Sequence, residues 1–147
     1  MRPVYETEAH LQGEQDVAKK LEAWINNPLA TVVKTPPLAP YDYCIVKKGL
    51  ISGVVEIKVR SNPSDKYPTY MISLEKVSQC TSHANIIGCP FYVVVQWTDK
   101  LGWWKFDRDQ YTTGIGGRTD RNDSMDQETV IYIPINNFTF SRGLNRS

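Results

Sequence analysis

The stretch LISGVVEIKVR, residues 50 to 60, constrains this chain more than any other. It is rich in the β-branched residues of a strand, yet Glu56 and Lys58 stand two positions apart inside it. Strand side chains alternate between faces. Val55, Ile57 and Val59 therefore point one way, and Val54, Glu56, Lys58 and Arg60 the other. A core beneath a helix claims the first set. The second set is either a solvated face whose ion pair contributes roughly 0–1 kcal/mol, or a place where a carboxylate and an ammonium serve chemistry.

The residues just upstream weigh on that choice. YDYCIVKK, residues 41 to 48, is a second strand-like run, and Gly49 falls where a turn would join the two into a hairpin. Pro40 biases Ala39 toward an extended backbone, so the chain enters this strand already extended. In such a hairpin Asp42 lies beside Glu56. Two adjacent carboxylates repel each other unless a hard cation sits between them. Magnesium suits the pair, because it takes one or two carboxylates and fills its other positions with water and phosphate oxygens. The carbonyl of Ile57 is a further oxygen ligand. Glu14 lies three residues from both Leu11 and Val17, at the edge of a helical apolar stripe, and is expected to face the sheet; Glu8 and Glu22 are the fallback candidates.

The 147 residues fit a single domain, 1–147, with room for a real core. A helix is expected over 5–27, capped by Thr7 and stopped by Asn26-Asn27-Pro28. ATVVK reads as a short strand, 61–70 as a loop, and 71–88 as a second helix with Ser73 as cap and Gly88 as stop. PFYVVVQW and WWKFD pair across the turn TDKLG. Residues 108–127 read as a long polar, flexible loop, 128–138 as a last strand and 141–147 as a frayed tail. This is an α/β chain. Its net charge of +1 excludes a whole-protein basic field, so any nucleic-acid site must be local.

Other chemistries are disfavoured. Cys44, Cys80 and Cys89 form no CxxC pair and read as reduced packing residues. His10 and His83 lack companions at zinc-ligand spacing. The GIGG run at 114–117 neither follows a strand nor opens a helix, which argues against a phosphate-binding loop. Trp97, Trp103 and Trp104 read as packing rather than stacking platforms. No apolar run approaches the ~20 residues of a membrane span, and the N-terminus has no signal-peptide core. The expected location is cytoplasmic, the host cytoplasm if the protein is viral.

A helix carrying Glu14, then Pro40-Tyr41-Asp42, then Glu56-Ile57-Lys58, then a second helix resembles the PD-(D/E)xK nuclease superfamily, in particular its small phage- and virus-type, resolvase-like members. The resemblance spans about residues 5 to 98; Tyr41, between the proline and the aspartate, is a departure from the motif. It implies a restriction-endonuclease-like core, a small mixed central sheet flanked by helices, and a magnesium- or manganese-dependent DNA nuclease. Asp42 and Glu56 would bind the metal with the Ile57 carbonyl. Lys58 would orient or help deprotonate the attacking water, and Glu14 would hold a second metal or its water. Lys76 and Gln79 on the second helix would face the scissile phosphate. Apart from the resemblance, Arg60, Lys66, Lys47 and Lys48 flank the expected site and are candidates to contact phosphates; the loop with Arg118 and Arg121 reads first as a solvated loop, with a DNA-clamping loop that orders on binding as the alternative. DNA is the implied partner, and the reading admits a homodimer. The alternative is a non-catalytic nucleic-acid-binding or assembly protein that keeps the fold; the intact Asp42, Glu56 and Lys58 favour the enzyme.

Overall fold

The computed structural model describes residues 8–36, 38–117 and 127–141. Helix α1 (Glu8–Ile25) opens the fold, followed by strands β1 (Ala30–Lys34), β2 (Tyr43–Lys47) and β3 (Leu50–Val59). Next come β4 (Thr69–Ser73), α2 (Leu74–Ile87), β5 (Phe91–Gln96), β6 (Leu101–Lys105), β7 (Thr112–Gly117), β8 (Gln127–Pro134) and β9 (Thr139–Phe140). Six strands form a sheet in the order β1-β2-β3-β5-β6-β9, and β4-β8-β7 form a second, three-stranded one. Among the described residues only β3 and β5 pair in parallel, because α2 crosses between them; the other pairs are antiparallel.

The central sheet is covered on both faces. Val17, Ala18 and Leu21 of α1 pack on Val55, Ile57 and Val94. On the other face, Val54, Val93 and Val95 meet Val77, Cys80 and Ala84 of α2 and the inward residues Tyr70, Ile72, Ile131 and Ile133 of the second sheet. The expected alternation along β3 is therefore present. Val59 departs from it: it is 46% exposed, because α1 offers only Gly13 opposite it, with no side chain to cover it.

Local chemistry sets the boundaries. Asn26, with φ 51°, ends α1 in the left-handed region, and Glu22 accepts a hydrogen bond from the Val32 N–H at 2.7 Å, tying β1 to the helix. Glu22 is thus a structural anchor. The β2–β3 hairpin turns at Lys48 and Gly49, both at positive φ (52° and 77°), as a tight primed turn requires. Ser73 caps α2 by accepting from the Lys76 N–H, and Gly88 ends it at φ 85°.

Two expectations need correction. The second helix begins at Leu74, since Thr69–Ser73 is taken up by β4. Residues 108–127 are not one loop: they contain a 3-10 turn at Arg108–Gln110 and the strand β7. Its glycines hid that strand from an apolar count. A Cβ on Gly114 would lie 2.8 Å from the Tyr132 ring, and one on Gly116 would lie 2.8 Å from the Met71 sulfur. The proposed Thr7 cap and the tail beyond Ser141 lie outside the described residues.

Candidate active site

β2 and β3 pair in a register whose last step is Tyr43 opposite Val55, which places Asp42 opposite Glu56 one step further on. The segment bearing Asp42 is held from several sides. The Thr35 hydroxyl donates to the Tyr41 carbonyl, and the Thr35 N–H donates to the Asp42 carbonyl at 2.9 Å. The Cys80 thiol reaches the Pro40 carbonyl at 3.5 Å. Tyr41 is buried with its ring edge-on to His83 at 5.5 Å. Each contact fixes backbone within two residues of Asp42.

Glu56 is completely buried, with 0% exposure. The face it shares with Lys58 and Arg60 lies beneath α2 and the second sheet, so the solvated reading of that face fails at Glu56. Lys58 Nζ lies 3.4 Å from Oε2 and Lys76 Nζ 3.7 Å from Oε1. Neither oxygen of Glu56 is matched by a hydrogen-bond donor of ordinary geometry. Its nearest carboxyl is that of Asp42, and two carboxyls share a hydrogen bond only with a proton between them. Burial and the Asp42 charge push Glu56 up to about 7, against the pull of Lys58 and Lys76. The Cys80 thiol below is driven up to about 12 by burial and then by Glu56, so it is a neutral packing group.

The structure thus brings together Asp42, Glu56, Lys58 and Lys76. Ile57 pairs with Val94 of β5 and has no registered partner on the β2 side, which suits a carbonyl available at that edge. Arg60 follows on the same strand face, with its guanidinium donating to the Tyr70 hydroxyl at 2.8 Å. Gln79 is exposed on α2, and Lys66 lies in the loop before β4 with Nζ 5.5 Å from the Tyr67 ring centre. Glu14 lies on α1, which packs on the β3 face that carries Val55 and Ile57, and one of its carboxylate oxygens is buried. Lys47 and Lys48 do not flank the site. They sit at the hairpin turn beside Leu50, six residues and therefore ~20 Å along β3 from Glu56. Arg118 and Arg121 lie outside the described residues. Trp97 and Trp104 are buried in the core, as expected of packing residues.

Sequence reasoning did not find Tyr70. Burial lifts its hydroxyl to about 12, Arg60 pulls it down and Glu56 raises it further, so it lies within reach of both charges. The outward-inward alternation of TYMIS was the one available signal, and the proline-rich loop before it hid the strand.

An acidic pair at the end of a hairpin, followed two residues later by a lysine, on a mixed sheet between helices, defines a nuclease of the PD-(D/E)xK class with a restriction-endonuclease-like, resolvase-type fold. The sequence matches the family described as "Phage putative PDDEXK endonuclease" over residues 1–141, and the chain belongs to that family. Its fold is similar to that of Hjc, a Holliday junction resolvase of the archaeal hyperthermophile Archaeoglobus fulgidus, with TM-score 0.53 and 18% identity over 82% of this chain and 87% of that one. No curated protein matches the sequence.

Proposed function

We propose that this protein is a magnesium- or manganese-dependent nuclease that hydrolyses phosphodiester bonds of DNA at the Asp42–Glu56–Lys58 site. The observation that carries the reading is the Glu56 carboxylate, buried against Asp42 with two ammonium groups near it and no hydrogen-bond donor of its own. A fold stores a buried charge in this state when a cation or proton completes it. The donor set is all oxygen, which fits a hard divalent ion better than zinc. When bound, the metal supplies Lewis-acid polarisation of the phosphoryl oxygen and acidifies water.

The proposed ligands are Asp42, Glu56 and the Ile57 carbonyl, with Glu14 of α1 proposed to hold a second metal or its water. Lys58 keeps about a third of its side chain in solvent while its ammonium contacts Glu56. It can therefore meet a phosphate arriving from the open side, orient the attacking water and offset the negative charge that grows on the phosphoryl oxygens. Lys76 adds a second positive charge from α2, on the far oxygen of Glu56. Gln79, Arg60, Lys66, Arg118 and Arg121 are the proposed contacts to flanking phosphates, which position a strand without reading its sequence. Among the described residues no helix is long and apolar enough to cross a membrane.

The test is incubation of supercoiled plasmid, linear duplex, single-stranded DNA and RNA with the protein and manganese, with and without chelator. Cleavage of DNA by the wild type, lost with chelator and lost in Asp42→Asn, is the expected result. Equal cleavage by Asp42→Asn, or cleavage that persists in chelator, refutes the site.

A further inference from the structure

Arg60, one residue past the end of β3 and two residues on from Lys58, lines a cleft of about 390 Å³. Tyr70 joins the two, with its hydroxyl bonded to Arg60 at 2.8 Å and its ring edge-on to Trp97 at 6.0 Å. The walls are Tyr67, 57% exposed, Met71, 44% exposed, and Tyr132. Tyr132 and Met71 lie close over the second sheet because Gly114 and Gly116 present no side chains there. Among the described residues no carboxylate lines the cleft. Aromatic faces, a thioether and one guanidinium at the mouth suit a planar base with its phosphate.

A base held between the walls of such a cleft cannot at the same time stack on its neighbours in a continuous duplex.

We propose that this cleft is a base subsite that holds one unstacked nucleotide beside the scissile phosphate, so that the substrate is DNA with an unpaired nucleotide at the cut rather than continuous duplex. The inference rests on the nuclease reading above. Stacking on Tyr67 and Tyr132 tolerates any base, so the subsite selects strand state and not sequence.

The experiment uses a flapped duplex carrying 2-aminopurine at its first unpaired position and a continuous duplex of the same sequence. Binding is read in chelator from probe fluorescence and from anisotropy, and cleavage is read separately with manganese. The wild type is expected to quench the probe and to bind the flapped DNA more tightly than the duplex. Tyr67→Ala, a change at an exposed side chain, weakens flapped-DNA binding by about tenfold, a modest stacking loss. Tyr67→Phe keeps it within about twofold, and neither variant changes duplex affinity. Unchanged affinity in Tyr67→Ala, or an equal loss on both DNAs, overturns the subsite. Wild-type protein that quenches the probe but cuts nothing supports the subsite and overturns the nuclease reading. Wild-type protein that cuts flapped and continuous DNA equally overturns the subsite alone.

Discussion

Replacing Glu56 with glutamine should stabilise the metal-free protein at alkaline pH, by an amount the structure sets. Glu56 is raised from 4.5 to about 7, first by burial and then by Asp42. A folded-state value above the unfolded one means that the native state binds the extra proton between those two pH values. Stability then falls as pH rises from about 4.5 through about 7, and the full cost is present above 7. The difference corresponds to on the order of 3 kcal/mol, or roughly 10 °C in Tm for a chain of this size. Glu56→Gln removes the titrating group and retains the shape. In chelator, urea unfolding of both proteins at pH 5 and pH 8 should give similar stability at pH 5 and a more stable variant at pH 8. Manganese at pH 8 should raise wild-type stability and leave the variant nearly unchanged, because the cation takes the place of the proton. Parallel pH profiles, within about 0.5 kcal/mol from pH 5 to 8, would show that Glu56 is not held as a costly charge, and the argument for a cation between the two carboxylates would fall with it.

Lys58→Ala should lower single-turnover cleavage by about 100-fold or more while manganese titration still shows binding at Asp42 and Glu56; Lys58→Arg should rescue only in part, since a planar fork does not reproduce a compact ammonium. Thr35→Val removes the hydroxyl that holds the Tyr41 carbonyl, and should cost about 1 kcal/mol in urea unfolding and weaken manganese binding through Asp42. Gly114→Val should destabilise by about 1–3 kcal/mol, because a Cβ there meets the Tyr132 ring at 2.8 Å. DNA affinity measured by anisotropy should fall steeply between 50 and 200 mM salt; a flat salt profile would contradict binding through lysine and arginine.

Much of the fold was legible because it is written in short-range chemistry. The hairpin showed in Gly49, the α2 boundaries in Ser73 and Gly88, and the two faces of β3 in the alternation of Val55 and Ile57 against Glu56. Elements whose signal lies in distant partners did not show. β7 has few apolar residues because Tyr132 and Met71, from other strands, cover the space where its side chains would stand. β4 was divided between the loop 61–70 and the helix 71–88 because Tyr70 and Ile72 look inward only once β8 pairs beside them. Lys47 and Lys48 read as neighbours of the site by sequence proximity, although a strand places them at its far end.

The candidate site divides the same way. Which residues bear charge is a property of the sequence, and the hairpin register brings Asp42 to Glu56 from local information alone. How costly those charges are is a property of what covers them. On the strand alone, a solvated ion pair was the simpler account of Glu56 and Lys58, and it fails because α2 and β4 close over Glu56 while leaving Lys58 open on one side. That asymmetry is what separates a surface pair from a reactive one. Were both exposed, water would screen them and neither would be poised; were both buried, no phosphate could reach the lysine. In the proposed mechanism, a buried carboxylate beside a half-open ammonium would keep a cation's ligand fixed and dry and the substrate's contact accessible, as metal-assisted phosphodiester hydrolysis needs.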